Sequence, residues 1–319
     1  MIFQTNEKYE QALLSTLLHI QTHLEEDLRL EALAERVGFS PYHFHRIFRE
    51  FIGEPVKEYV RRLRIEKGAY RLKISEDTIL QIALEAGFKN HESFTRAFEK
   101  RFGITPSEFR SDFLRASRER KQQIQPKYIT EYNLKDETGL LPNGSTAKQV
   151  RLERIRPIIV AFVRHIGPYD NILEKGSPLL VLWAELFQWG NANQLINADS
   201  LLMGIAQDDP SITPPEKQRF DVCVQIPAFH HPSGHIGCQT ISAGLFAVGR
   251  HYGLFDNLAD TYAHIYDSMI TTGKYQMRWG QPFEVYTHSR VNDDLRIHFT
   301  DVYLPIAPAE QNKEVVDPS

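Results

Sequence analysis

The chain of 319 residues contains only two cysteines, Cys223 and Cys238, which excludes a disulfide framework and fits a reducing, cytoplasmic setting. Long apolar runs are missing too. The longest, around Pro178 to Trp189, is broken by Glu185 and Gln188 and falls short of the ~20 residues of a membrane span, so no membrane partner is expected. The opening MIFQTNEKYEQ lacks a basic start followed by an apolar core, so no secretion signal is expected. A net positive charge is also absent: the formal charge is −4. That average hides a strong local bias. Residues 41 to 73 hold nine Lys/Arg against four Glu, whereas residues 121 to 319 hold 17 Lys/Arg against 22 Asp/Glu. A basic segment in a mildly acidic chain is compatible with a polyanionic partner. No zinc spacing is present. His230, His231, His235 and Cys238 crowd into FHHPSGHIGC, but their spacing matches no metal motif, and the stretch reads as a solvated loop whose histidines could touch a ligand. No metal and no cofactor are expected.

What the chain does have is repetition. VGFSPYHFHRIFREFIG (Val37 to Gly53) is echoed by AGFKNHESFTRAFEKRFG (Ala86 to Gly103), with Phe44, Arg46, Phe48 and Gly53 recurring fifty positions later as Phe94, Arg96, Phe98 and Gly103. Each phrase follows a short amphipathic segment, Leu30 to Arg36 or Ile79 to Glu85. Helix, tight turn at a glycine and second helix is the pattern of a helix-turn-helix unit. Two units in one chain would let one polypeptide reach successive major grooves of double-stranded DNA. Between them, Pro55 to Leu72 sets Val56, Tyr59, Val60 and Leu63 on one face and arginines on another, which predicts a connecting helix.

The organisation follows from these textures. Residues 8 to 113 read as almost continuous helix, and residues 114 to 148 as a polar, turn-rich linker that is helical only at its start. Residues 149 to 306 carry short strand-like runs around two helical stretches, and 307 to 319 form a tail. A second repeat appears there: RHIGPYDNI (Arg164 to Ile172) and RHYGLFDNL (Arg250 to Leu258) keep a constant offset of 86. The predicted fold is therefore two domains, an all-α double helix-turn-helix domain and an α+β domain of two βαββ halves.

Residues 8 to 113 resemble the DNA-binding domain of AraC-type transcription regulators, most diagnostically over IALEAGFKNHESFTRAFEKRFGITPSEFR, Ile82 to Arg110. Residues 150 to 306 resemble the GyrI-like small-molecule-binding domain, through the paired repeats, Pro282 to Tyr286, and the terminal run Asp301 to Ile306. The resemblance implies a transcription regulator that is not an enzyme, with DNA, a small-molecule effector and RNA polymerase as partners. On the second helix of each unit the exposed candidates are Tyr42, His45, Arg46 and Arg49, and His91, Glu92, Thr95, Arg96 and Lys100. Arg46 and Arg96 are expected to read guanine edges; Arg49, Lys89, Lys100 and Arg101 are expected to touch phosphates. In the GyrI-like family the residue matching Glu284 lies in a pocket between the halves facing cationic, lipophilic ligands. Tyr286, Tyr169, Trp183, Tyr252 and Phe255 are the aromatic candidates for its wall. Two other readings of the C-terminal domain are a hydrolase of reactive small molecules with Glu284 as general base, and a module that binds another protein such as a topoisomerase.

Overall fold

In the computed structural model, residues 7–123, 150–169, 178–232, 234–253, 258–272, 274–287 and 298–309 are the described ones. The chain divides into two compact units: residues 1–125 with 158–241, and residues 126–157 with 242–319. The elements in order are α1 (Glu7–Thr22), α2 (Leu30–Arg36), α3 (Pro41–Ile52), α4 (Val56–Ile74), α5 (Ile79–Glu85), α6 (His91–Phe102) and α7 (Pro106–Gln123), then β1 (Val150–Ile155), β2 (Ile158–Ile166), α8 (Pro178–Ala192), β3 (Leu202–Ala206), β4 (Arg219–Gln225), β5 (Ile236–Ile241), β6 (Gly244–Gly253), α9 (Leu258–Thr272), β7 (Tyr275–Met277), β8 (Phe283–Thr287) and β9 (His298–Pro308).

The two helix-turn-helix units, α2–α3 and α5–α6, are built by the same local devices. Ser40 caps α3 by accepting from the His43 amide, and Asn90 caps α6 by accepting from the Ser93 amide. Each helix ends on a left-handed glycine, Gly53 at φ 78° and Gly103 at φ 75°. The turn glycines Gly38 and Gly87 have φ 72° and 82°. At Gly87 a side chain is excluded twice over: a Cβ would lie 2.2 Å from the Leu24 carbonyl oxygen and 2.6 Å from Arg64 Nε. That backbone approach is used, since Arg64 Nε donates to the Leu24 carbonyl at 2.7 Å and so ties the connecting helix α4 to the end of the α1 region. Phe44 and Phe48 lie in one buried cluster with Tyr59 and Leu63 of α4, and Phe94 and Phe98 in another with Ile65, Ala69 and Leu72. The helix α4 is thus the shared spine of both units. At its far end α7 continues to Gln123, ten residues into the stretch expected to be linker.

In the same unit as these helices, the strands run in the order β3-β4-β2-β5, all antiparallel, with α8 packed on one face through Leu179 and Leu186. In the other unit the order is β1-β6-β9-β8, with β7 also pairing β9. The strands β1, β5 and β7 were not expected from the sequence. β5 begins inside the stretch expected to be a solvated loop, so Cys238 is a buried strand residue rather than a solvated loop residue. The glycine and histidine content of that stretch conceals the strand, and its first three residues, Ile236 to Cys238, are all buried rather than alternating. β7 has three residues, too few for a periodicity to show.

The 86-residue repeat has a clear structural meaning. Arg164 of β2 lies directly across from Asp221 of β4 and donates to it from Nε and Nη2 at 2.6 and 2.8 Å. Its repeat mate Arg250 of β6 faces Asp301 of β9 and donates at 2.6 and 2.7 Å. Burial alone would raise the Asp301 carboxyl; the hydrogen bonds from Arg250 and Arg151 more than reverse that and hold it low. Asp221 is completely buried and also accepts from Gln207 and Gln239 at 2.7 and 2.8 Å, so all its charge is matched internally.

Candidate nucleic-acid interface and effector site

The exposure of α3 and α6 repeats position for position, although most of the exposed residue types differ. Along each helix the first two residues are exposed, and the positions of Phe44 and Phe94, Ile47 and Ala97, and Phe48 and Phe98 are buried. Between them, Arg46 and Arg96 are exposed, as are Arg49, Glu99, Glu50 and Lys100 further along. Tyr42 is 83% exposed, an unusual amount for an aromatic ring that has no packing duty. His91 and Glu92 are exposed at the start of α6. His45 and Thr95, expected on the outer face, are half-buried and sit on its flank. Lys89 is exposed just ahead of α6, and Arg101 is half-buried with its guanidinium 5.4 Å from the Phe102 ring centre. Each exposed strip therefore combines one arginine in the middle of the helix with one exposed cation (Arg49 or Lys100) and one carboxylate (Glu50 or Glu99) toward its C-terminal end, so a central base contact could be flanked by a phosphate contact from the cation.

The second candidate site lies in the unit that holds β6 to β9. Glu284 of β8 is 4% exposed. Its Oε2 accepts from the Tyr286 hydroxyl at 2.5 Å, and its Oε1 accepts from the Tyr262 hydroxyl of α9 at 2.9 Å. Burial pushes its carboxyl up to about 7, against the pull of the two tyrosine hydroxyls, which favour the ionised form. Among the described residues no Lys, Arg or His forms a salt bridge with it. A carboxylate held between phenol rings and short of a positive partner is the electrostatic complement of a cation. On the same α9, Thr261 is within 2.7 Å of His251 Nδ1, which fixes the helix against β6.

Residues 148–307, half of the chain, match the family described as a GyrI-like small molecule binding domain, and residues 33–112 match a helix-turn-helix domain. The chain is a GyrI-like protein with an AraC-type helix-turn-helix domain. The right origin-binding protein of Escherichia coli strain K12 is 36% identical to this GyrI-like protein over 94 residues, 30% of this chain and 32% of that one. The probable transcription factor PqrA of Proteus vulgaris is 38% identical over 95 residues, 30% of this chain and 78% of that one. The chain spans about a third of the length of the right origin-binding protein. The crystal structure of the EcmrR C-terminal domain aligns at a TM-score of 0.41 and 20% identity, covering 50% of this chain and 97% of that one.

The remaining residues singled out in the GyrI-like part are placed as follows. Tyr169 belongs to the first unit. Its hydroxyl donates to the Arg219 carbonyl at 2.6 Å and accepts from the Asp208 amide at 3.2 Å, while its ring meets Phe220 edge-on at 5.8 Å. Burial pushes that phenol far above its ordinary range, so it stays neutral. Trp183 packs on the α8 side of the same unit's core. Tyr252 is a backbone member of β6, and Phe255 lies outside the described residues. His235 sets Nε2 at 2.8 Å from Glu185 and Nδ1 at 3.6 Å from Glu10, and among the described residues no group of three or more His, Cys, Asp or Glu is arranged to hold a metal. No helix among the described residues is long and apolar enough to cross a membrane. Tyr262 was missed in the sequence. It neighbours Thr261 on the inward face that also carries Leu258, Ile265 and Met269, all buried. A tyrosine at such an edge position was indistinguishable from packing until its partner Glu284 was placed.

Proposed function

We propose that the chain is a sequence-specific DNA-binding transcription regulator, with RNA polymerase as a partner, whose GyrI-like domain takes a small lipophilic or aromatic cation as effector. The observation that supports the DNA reading is the residue-for-residue match of exposure along α3 and α6, with Arg46 and Arg96 at equivalent exposed positions. Arg46 and Arg96 are assigned to guanine edges. Tyr42, His45, His91, Glu92 and Thr95 are assigned to nearby bases and sugars, and Arg49 and Lys100 to phosphates. Glu92 suits a cytosine amino group better than a phosphate, which would repel it.

Glu284 with Tyr286 and Tyr262 supports the effector reading, and Tyr252 of the same unit is proposed as a further wall residue. The two GyrI-like halves are read as β2-α8-β3-β4 and β6-α9-β8-β9, duplicated units of which the second carries β7 as an insertion. The hydrolase reading, with Glu284 as general base on a bound water, would be supported by turnover of a test electrophile that is lost in Glu284→Gln. The test is selection of bound duplexes from fragmented genomic DNA, with and without tetraphenylphosphonium. A single asymmetric motif with two half-sites, and a changed yield with the cation, are expected. Recovery without sequence preference would reject the regulator reading.

A further inference from the structure

The two helix-turn-helix units meet at a seam on α4, and Arg64 sits in it. Its neighbour Leu63 belongs to the buried cluster of the first unit, and its other neighbour Ile65 to that of the second. Arg64 Nε donates to the Leu24 carbonyl at 2.7 Å, and its Nη2 donates to the Glu26 carbonyl at 2.7 Å. Lys67, about one turn further along α4, lies 3.5 Å from the Glu25 carboxylate. Three consecutive residues of the segment that leads from α1 into α2 are thus held by α4. That segment is part of the first unit, because Leu24 and Leu28 are buried in the cluster that holds Phe44 and Phe48 of α3.

The turn of the second unit closes on the same point. A Cβ on Gly87, between α5 and α6, would lie 2.2 Å from the Leu24 carbonyl oxygen, 2.6 Å from Arg64 Nε and 3.0 Å from Arg64 Cζ. The backbone of that turn therefore rests directly against the bond between Arg64 and the first unit. Phe88, the next residue, packs on the second unit's cluster and meets the Phe94 ring of α6 edge-on at 5.3 Å. The first unit supplies an internal control. Its turn glycine Gly38 has nearly the same conformation, φ 72° against 82°, yet a Cβ there would meet nothing within 4 Å. A left-handed turn accounts for glycine at both positions; the close approach is peculiar to Gly87. A guanidinium suits the junction because its rigid fork can donate to two carbonyls at once.

We propose that Arg64 is a positioning residue for DNA reading. It clamps the chain entering the first unit against the turn of the second, so that α3 and α6 keep one separation and one relative rotation, and the protein accepts one spacing between its two half-sites. This rests on the DNA reading above, in which Arg46 and Arg96 contact bases. The physical basis is preorganisation: two readers held rigidly lose little freedom when the second half-site is engaged, and they cannot follow a half-site that has been moved.

The experiment uses the full chain and the selected duplex, together with duplexes in which two base pairs are added or removed between the half-sites and one in which a half-site is scrambled. The wild type is expected to bind the selected duplex at least about 10-fold more tightly than either respaced one. In Arg64→Met that ratio falls to about threefold or less, chiefly because the selected duplex is bound more weakly, while the single half-site is bound within about twofold of wild type. An unchanged spacing ratio in Arg64→Met overturns the proposal. So does equal weakening on every duplex with a lower slope of log K against log salt, which would make Arg64 a phosphate contact. A wild type that selects a sequence but tolerates every spacing overturns the clamp alone, whereas one with no sequence preference overturns the DNA reading as well. If Arg64→Met does not fold, Gly87→Ala is compared with Gly38→Ala. Both alanines bear the cost of a left-handed backbone, but only the first intrudes on the seam. Loss of the spacing ratio in Gly87→Ala alone supports the clamp, and equal behaviour of the two overturns it.

Discussion

Arg46→Ala combined with Arg96→Ala is expected to abolish sequence-specific binding while the protein stays folded. A bidentate arginine–guanine contact is worth about 1–3 kcal/mol of discrimination, so two of them lose roughly 30-fold to 25,000-fold in affinity for the selected site. Non-specific binding should survive, because it rests on phosphate contacts. Both arginines are exposed on helices whose cores are formed by other residues, so the thermal midpoint should move little. Arg49→Ala or Lys100→Ala should behave differently, weakening binding to all sequences alike and lowering the slope of log K against log salt by about 1. Electrophoretic shifts at several salt concentrations, with matched and scrambled duplexes, separate the two behaviours. Equal loss on both duplexes for the double arginine variant would remove these residues from base reading.

The second large effect concerns pH at Glu284. Its carboxyl titrates at about 7 in the folded chain against an ordinary 4.5. The neutral form is therefore the one that the fold prefers. Stability linked to this group is complete below the unfolded pKa and is lost as pH rises through about 7, amounting to about 3 kcal/mol. Glu284→Gln should remove that dependence, so the variant gains on the wild type between pH 4 and pH 8 in urea unfolding. Effector binding runs the other way. A cation binds the ionised form, so tetraphenylphosphonium affinity should fall roughly tenfold per pH unit below about 7 and level off above it. In Glu284→Gln the affinity should be weak and flat with pH, while a neutral analogue such as triphenylphosphine oxide is little affected. A pH slope that persists in the variant would place the cation elsewhere.

The helical part was largely legible because its signals are local. Capping residues, positive-φ glycines and inward phenylalanines each act within one turn, and the fifty-residue repeat doubled the evidence for every one of them. The sheet-rich part was legible in its elements and less so in its connections. The repeat identified Arg164 and Arg250, yet their cross-strand partners Asp221 and Asp301 lie 57 and 51 residues away and carry no local mark. The edge strands were hidden for a different reason. β5 pairs with β2 and β1 with β6, so each is stabilised by a partner distant in sequence rather than by its own pattern. The burial of Ile212, between β3 and β4, was invisible: DDPSITPPEK reads as an ordinary polar turn until Ile212 is seen among the phenylalanines of the second helix-turn-helix unit. Glu284 was found through resemblance, and its burial and tyrosine partners supply the physical reason for its prominence.

The central claim is that a single chain reads DNA with two helices at once. The most direct measurement is a hydroxyl-radical footprint on the selected duplex, with the mass of the same complex taken by analytical ultracentrifugation. The account predicts one chain per duplex and two protected patches about one helical turn apart, roughly 10 base pairs centre to centre, with Arg96→Ala clearing only one of them. Two chains on a palindromic site, each protecting a single patch, would contradict it.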